Sequence, residues 1–381
     1  MDFSYSEEHE MIRQTAREFA ENVLAKTAAE RDKTESFPHD EMKELGELGF
    51  MGIFVPEEFD GAGMDAISYI IALEEISRVD ASVGVILSVT NSLACYPILK
   101  YGTDFQKEKY LKGLASGKYL GGYCLTEPDS GSDAATMSTT AVPDGDHYVL
   151  NGTKNFITSG LTADLFIVST VTDKSQGTHG TTAFIVERNT PGIIYGAKEK
   201  KMGIRSSDTA TLTMEDCRIP VENRLGEEGE GFKVAMTALD SGRLGIAAQA
   251  LGIAQAALEE SVKYSNERHQ FGRPISSFQA IQFKIADMES RIQAARLLTF
   301  KAAYLKDQGL RNTKEAATAK LFASETATWA ADQAVQIHGG YGYTKEYLVE
   351  RLFRDSRVTE IYEGTSEIQR LVIGNWVLKE Y

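Results

Sequence analysis

The spacing of apolar residues changes twice along the chain. Residues 1 to about 120 read mainly as helix. Ser6 followed by Glu7 and Glu8 has the pattern of a capping residue and an acidic first turn. A further helix is expected over residues 65–78, with Pro56 and the Gly61-Ala62-Gly63 turn breaking the pattern between the two. From Gly121 to about Pro220 the chain is rich in Thr, Val, Ile and Phe. Tyr148-Val149-Leu150, Leu165-Phe166-Ile167-Val168 and Ala183-Phe184-Ile185-Val186 read as short strands, and Pro143-Asp144-Gly145-Asp146 as a turn between extended runs. That spacing predicts an antiparallel sheet or a small barrel. From Gly231 the helical period returns. Leu244, Ala247, Leu251, Ala254, Leu258 and Val262 form one stripe; Ile281, Ile285, Met288, Ile292, Ala295, Leu298, Ala302 and Leu305 form another. With the segment from Ala316 to Ile337 and the C-terminal residues, four or more helices are in place for a bundle. Gly245, Ala248 and Gly252 make a face small enough for close helix packing, including packing between subunits.

The order helices, strands, helices divides the chain into residues 1–120, 121–230 and 231–381 and excludes an alternating βα fold. No Gly-x-Gly-x-x-Gly follows a strand and no P-loop is present, so a nucleotide cofactor has no Rossmann fingerprint to hold it. With 42% hydrophobic and 25% charged residues over 381 positions, the chain is globular and has ample core. A net charge of -15 argues against a general nucleic-acid or anionic-membrane surface and leaves room for a local basic pocket. No uninterrupted run of about 18 apolar residues is seen, so no membrane span is expected. The acidic start lacks an apolar signal core, which fits a bacterial cytoplasmic protein or an already processed mitochondrial matrix protein. Cys95, Cys124, Cys217 and the six histidines show no ligand spacing, so no metal is expected.

The densest candidate chemistry is Ile361-Tyr362-Glu363-Gly364-Thr365-Ser366-Glu367-Ile368-Gln369-Arg370. Glu363 stands between a large aromatic and a glycine that lets another molecule approach the backbone. A ligand packed over it would desolvate the carboxylate, raise its pKa and make it a base for a carbon-bound proton. A solvated Glu ending a helix has the same local sequence. Tyr123-Cys124-Leu125-Thr126-Glu127-Pro128-Asp129-Ser130-Gly131-Ser132-Asp133 offers hydroxyls and open backbone N–H groups to a phosphate or a polar ring edge, or is an ordinary polar turn. Lys154-Asn155-Phe156-Ile157-Thr158-Ser159-Gly160 reads as a strand ending in a turn, with Phe156 and Thr158 on one face, toward a flat heterocycle or toward the core. Glu267-Arg268-His269-Gln270-Phe271-Gly272-Arg273 supplies cations for phosphates and a ring for stacking, or is a solvated helix end. The glycines of Gln336-Ile337-His338-Gly339-Gly340-Tyr341-Gly342-Tyr343 stop a helix and also admit a pyrophosphate to the backbone. Asp240-Ser241-Gly242-Arg243 is expected at the start of a helix or in its first turns. No Gly-x-Ser-x-Gly elbow of a serine hydrolase is present.

In this order, these segments resemble the acyl-CoA dehydrogenase family over essentially the whole chain. Five separated motifs agree, at residues 123–133, 155–158, 268–272, 336–342 and 362–370. The helix from Asp240 to Gln255 and the final segment look most like the short-chain, butyryl-CoA branch. The resemblance implies an α+β, mostly α, fold: an N-terminal helical domain, a middle antiparallel β-barrel and a C-terminal four-helix bundle. It implies FAD as cofactor, an acyl-CoA as substrate and an electron-transfer flavoprotein as partner. It further implies a homotetramer, a dimer of dimers, that binds neither nucleic acid nor membrane.

The same resemblance assigns roles residue by residue. Glu363 matches the catalytic base. Tyr123, Leu125, Thr126, Gly131 and Ser132 match the loop that touches the flavin and its phosphates, Ser132 also meeting substrate. Phe156 and Thr158 match the pair beside the flavin ring, with the threonine near N5. Arg268, Gln270, Phe271, Gln279, Gln336, Gly339 and Gly340 match residues that reach the FAD of a neighbouring subunit. Thr365 and Glu367 flank the base on the FAD side. Asp240 and Arg243 match residues near the CoA portion, and Tyr362 and Gly364 adjoin the substrate. The implied reaction removes the thioester α-proton to Glu363 and the β-hydrogen as hydride to flavin N5, giving a trans-2-enoyl-CoA. In the family, the base's own backbone N–H and a ribityl hydroxyl of FAD stabilise the developing enolate.

Some positions depart from the family. Phe156 stands where Trp is common, and Asp129 and Ser130 stand where Gly-Ala is often found. Some branches carry the base at the position of Gly242, which here leaves the role to Glu363. Cys95 and Tyr96 fall in a segment that lines the acyl pocket in relatives, so Tyr96 is expected to shorten it. A branched, alicyclic or dicarboxylic acyl group, an oxidase on the same scaffold and a non-catalytic acyl-CoA-binding scaffold are the alternatives.

Overall fold

The structure, a computed structural model, describes residues 5–380; residues 1–4, part of the acidic start read above, and Tyr381 lie outside the described residues. Among the described residues, eight α-helices precede the sheet: α1 (Glu7–Phe19), α2 (Ala25–Thr34), α3 (His39–Glu47), α4 (Ala66–Val79), α5 (Ala81–Val89), α6 (Tyr96–Tyr101), α7 (Asp104–Gln106) and α8 (Lys112–Ala115). The start of α1 obeys the cap read from the sequence, and α4 and α5 are capped in the same way by aspartates not singled out there. Ser6 Oγ accepts the His9 N–H at 3.1 Å at the head of α1. Asp65 accepts the Ser68 N–H at 2.7 Å at the head of α4. Asp80 accepts the N–H groups of Ser82 and Val83 at 2.9 and 3.2 Å, and so starts α5 directly after α4.

No uninterrupted apolar run is present, yet one helical segment approaches a span by average composition. The helical run Ala81–Tyr101 is 21 residues long with a mean hydropathy of 1.5, enough by length and composition to cross a membrane. Ser88, Thr90, Asn91 and Ser92 interrupt it as a string of letters, but not as an average. Inside the fold 89% of its apolar window is buried, so a protein core accounts for its apolarity. Asn91 is satisfied there: its side chain accepts from the Ile53 N–H at 2.9 Å and donates to Phe50 O at 2.9 Å and Leu87 O at 3.1 Å.

The middle of the chain holds β1 (Gly121–Cys124), β2 (Thr140–Asp144), β3 (His147–Thr158), β4 (Leu165–Val171), β5 (Thr181–Glu187), β6 (Ile193–Tyr195), β7 (Thr209–Pro220) and β8 (Arg224–Leu225). The three expected strands fall within β3, β4 and β5, and Gly145, at φ +65°, makes the turn between β2 and β3. The sheet order is β6-β7-β3-β2-β4-β5-β8, with β1 beside β4. Pairing is antiparallel except for β1 with β4 and β2 with β4, which are parallel. No pairing among the described residues joins β6 to β8, so the ladder does not close into a barrel.

The chain then returns to helix: α9 (Gly231–Glu267), a small hairpin of β9 (His269–Gln270) and β10 (Arg273–Pro274), α10 (Gln279–Asp307), α11 (Thr313–His338), α12 (Leu348–Ser356) and α13 (Ser366–Glu380). α9 packs on α4, α10 and α11, and α13 lies on α11. The small-residue face of α9 is used within the chain rather than between subunits. A Cβ on Gly245 would fall 2.4 Å from the Tyr69 hydroxyl and 2.2 Å from Ser88 Oγ, and one on Gly252 would fall 2.4 Å from Glu74 O. Glycine therefore lets α9 settle onto α4 and α5 at a spacing that any side chain would open.

Candidate active site

Glu363 lies in the short link between α12 and α13. Its φ is +55° and that of Gly364 is +91°, so two consecutive residues are left-handed. A non-glycine residue held there costs about 1–2 kcal/mol, and the surroundings impose it. The Tyr362 hydroxyl donates to Gln249 Oε1 on α9. Gln249 in turn donates to Ala81 O at 2.7 Å. Gln369, on α13, donates to the carbonyls of Glu363 and Gly364 at 3.1 and 2.9 Å. From α11, Lys320 Nζ donates to Gly364 O at 2.8 Å.

Of these supports, only Tyr362 was singled out in the sequence, and as a substrate neighbour rather than a support. Lys320 had a readable signal: Ala316, Ala319, Ala323 and Ala327, at helical spacing around it, are all buried, which puts the lysine on the inner stripe of α11. Gln249 and Gln369 carried no such mark.

The Glu363 carboxylate rests over Gly242. A Cβ built on that glycine would lie 1.6 Å from Glu363 Oε2, so the absence of a side chain makes the seat. Asp240, Ser241, Gly242 and Arg243 sit well inside α9, not in its first turns, because the helix begins at Gly231. Glu363 as a residue is half-buried, but its Oε2 is closed to solvent and has no hydrogen-bond partner among the described residues. Burial pushes its pKa up to about 8, with the positive charges of Lys320 and Arg243 pulling the other way. The Glu363 backbone N–H also has no acceptor among the described residues. A proton acceptor and a free donor of the same residue thus share a dry corner.

That corner opens into a cavity of about 340 Å³ lined by Tyr123, Leu125, Thr126, Gly131, Ser132, Phe156, Thr158, Arg243, Tyr362, Glu363 and Gly364. Phe156 reaches it through a break in register between β3 and β7, where its φ is +57°. The bulge leaves Phe156 66% exposed while Lys154, two residues earlier, is buried. Lys154 Nζ there meets Glu127 Oε1 at 2.8 Å. Glu127 also accepts from the Ser138 N–H at 2.6 Å, the Ser138 hydroxyl at 2.7 Å and the Thr139 N–H at 3.0 Å. Lys154 donates to Leu125 O at 3.1 Å and the Asn155 N–H to Thr126 O at 2.8 Å, which fixes the loop over the strand. A Cβ on Gly131 would meet nothing within 4 Å, so the tip of this loop is open. Asp129 points to solvent, while the buried Ser130 donates its hydroxyl to Asp133 O at 2.8 Å.

Tyr96 is not in this cavity, against expectation; Val85, Val89 and Leu93 line it instead, and Cys95 is sealed in the core. The π-helical turn Thr90–Cys95 inserts a residue and rotates the next turn of helix onto another face. Tyr96 therefore faces a second cavity of about 760 Å³, with Lys100, Lys233, Lys306, Arg311 and Lys379 around it. Lys306 Nζ lies 3.4 Å from the Tyr96 ring centroid and donates to Ser241 Oγ at 2.6 Å; burial lowers its pKa to about 7. Arg243, bonded to Asp240 at 2.7 Å, borders both cavities.

Other residues picked from the sequence lie apart. Arg268, Gln270, Gly339 and Gly340 gather with Tyr264 and Tyr341 in a separate open depression. Phe271 is 93% exposed, and Gln279 and Gln336 are exposed. Thr365 accepts the Ile368 N–H at 3.3 Å at the head of α13, and Glu367 points to solvent.

Comparison with known proteins extends over the whole molecule. Residues 6–118, 122–217 and 229–378 match the family models for the N-terminal, middle and C-terminal domains of acyl-CoA dehydrogenase. The rat mitochondrial short-chain specific acyl-CoA dehydrogenase is 54% identical over 375 residues, 98% of this chain and 91% of the relative. The structure of butyryl-CoA dehydrogenase from Megasphaera elsdenii superposes with a TM-score of 0.98 at 49% identity, covering 99% of this chain and 100% of the other. A chain from a structure described as electron transferring flavoprotein of Acidaminococcus fermentans matches with a TM-score of 0.98 and 52% identity, each chain covered in full.

Proposed function

The chain belongs to the acyl-CoA dehydrogenase family, and from this premise we propose that it oxidises a short-chain acyl-CoA to the trans-2-enoyl-CoA with Glu363 as the base. The carrying observation is the unpartnered carboxylate oxygen over Gly242. A thioester α-carbon seated beside it loses its proton to Oε2. The free Glu363 N–H, aimed at the thioester oxygen, stabilises the developing enolate; such donors in a dry site are worth roughly 3–4 kcal/mol each. Tyr362 and Gln249 keep the loop from relaxing. Arg243 and the cationic second cavity take the anionic CoA end, with Asp240 fixing Arg243.

The cofactor of this family is FAD, and the residues present fit it. The Tyr123 hydroxyl is buried without a hydrogen-bond partner among the described residues, Phe156 presents an open face to the cavity, and the Gly131 backbone is unobstructed. Tyr123, Leu125, Thr126, Gly131, Ser132, Phe156 and Thr158 would hold it from this chain, with Thr365 and Glu367 beside the base. When bound, FAD supplies the acceptor for the β-hydrogen. The depression containing Arg268, Gln270, Gly339 and Gly340, with Phe271, Gln279 and Gln336 near it in sequence, serves the cofactor of a second subunit. Exposed Phe283, Leu297 and Tyr304 on α10 and Leu371 and Leu378 on α13 supply apolar surface for a homotetramer, a dimer of dimers. Within each subunit, residues 1–120, 121–230 and 231–381 act as the helical, barrel-like and four-helix-bundle domains. Electrons leave to an electron-transfer flavoprotein.

Anaerobic titration with acyl-CoAs from butyryl to octanoyl, with isovaleryl, glutaryl and cyclohexanecarbonyl thioesters, tests this reading. Flavin bleaching by butyryl-CoA that fades with chain length is the expected result. Bleaching by only a branched, dicarboxylic or ring thioester replaces the substrate and keeps the chemistry. No bleaching with FAD bound overturns the proposal.

A further inference from the structure

We infer that Lys320 is a positioning residue for Glu363: anchored from α11 on the Gly364 carbonyl, it supplies the positive charge that sets how readily the carboxylate ionises. The inference rests on the reading of Glu363 as the base. Lys320 is fully buried, and its only hydrogen bond among the described residues is the one to Gly364 O at 2.8 Å. That carbonyl already receives Gln369 Nε2 at 2.9 Å, so the turn is held without an ammonium. An apolar side chain or a second amide would fill the site with less loss of hydration. What only the ammonium adds is charge.

Of the two cations that act on Glu363, Lys320 is the stronger source of that charge. Tyr69 from α4, Tyr123 from β1 and Tyr362 from its own loop face it, all with their pKa values raised by burial and so neutral. Arg243 faces it from α9, but its guanidinium is bonded to Asp240 at 2.7 Å, which offsets its field. Glu360 and Glu367 act on Lys320 from farther along the chain, and Arg243 opposes them. Burial lowers the Lys320 pKa to about 8, so near neutrality it remains largely charged.

The test compares Lys320→Gln, which keeps a donor and removes the charge, with Lys320→Arg, which keeps the charge, and Lys320→Met, which removes both. The readout is the infrared carboxyl band of the FAD-loaded enzyme that Glu363→Gln abolishes, followed against pH without substrate. In Lys320→Gln and Lys320→Met the band should titrate about 1 pH unit or more higher than in the parent protein. In Lys320→Arg it should not move. The pH profile of flavin reduction should shift in parallel. If Lys320→Met fails to fold, Lys320→Gln still decides. An unmoved midpoint in folded Lys320→Gln, or a midpoint that moves in Lys320→Arg, overturns the inference. Activity surviving in Glu363→Gln would instead overturn the assignment of the base, and leaves the infrared comparison readable.

Discussion

Two glutamates with carboxylate oxygens closed to solvent, each near a buried lysine, have opposite fates in this molecule. Glu127 touches Lys154 at 2.8 Å and accepts three further hydrogen bonds from Ser138 and Thr139. Its pKa falls to about 2 although burial opposes the shift. Glu363 has Lys320 nearby but not in contact, and its Oε2 accepts nothing; its pKa rises to about 8. Burial is common to both, so burial alone does not make a base. The charge of Lys154 in direct contact, reinforced by the donors of Ser138 and Thr139, decides for Glu127, whereas the chain directs its donors to the Glu363 backbone instead of to its carboxylate.

The largest effect that would break this contrast is Glu363→Gln. It should keep FAD and lower the rate of flavin reduction by about 100- to 10,000-fold, measured by anaerobic stopped flow. Glu127→Gln should act on stability rather than chemistry: with Lys154 left buried and unpaired, unfolding should become easier by roughly 3–5 kcal/mol, seen in denaturant melts. Gly242→Ala puts a methyl where the carboxylate sits. The folded variant should lose about 100-fold in reduction rate through displacement of Oε2, and normal turnover would refute Gly242 as the seat of the carboxylate. The smallest effect is a difference in pH dependence. Glu127, with its folded pKa below the ordinary 4.5, adds stability that is present above 4.5 and lost as pH falls toward about 2. Glu363, with its folded pKa above 4.5, binds its proton more tightly when folded, so its contribution declines as pH rises from 4.5 through about 8. The stability gap between the parent protein and Glu127→Gln should therefore close in acid. Relative to the parent, Glu363→Gln should gain stability toward pH 8.

The alternation of helix, strand and helix was legible because apolar spacing reports which side of an element faces a core. Ser6, Asp65 and Gly145 sit where local chemistry demands them. Glu363 could be singled out because an aromatic and a glycine flank it, but the same residues also fit a solvated helix end, and only the fold shows its Oε2 closed to solvent. What the sequence hid was set by departures from regular geometry. The π-helical turn carried Tyr96 to another cavity, and the bulge in β3 turned Phe156 outward while burying Lys154. The contrast between the two lysines was also hidden, since each depends on a partner more than 20 residues away in sequence, Glu127 for one and Gly364 for the other.

The apolar run Ala81–Tyr101 has a consequence in time. Its cover comes largely from α9, whose Gly245 packs against Ser88 and Tyr69. At about 5–20 residues per second, a ribosome needs on the order of ten seconds or more to deliver that helix after the run has emerged. Throughout that interval the most hydrophobic helical stretch of the nascent chain lacks its native lid. Synthesis in a system depleted of chaperones should therefore trap this protein as aggregate at the stage between strand and helix, before Glu363 has been made.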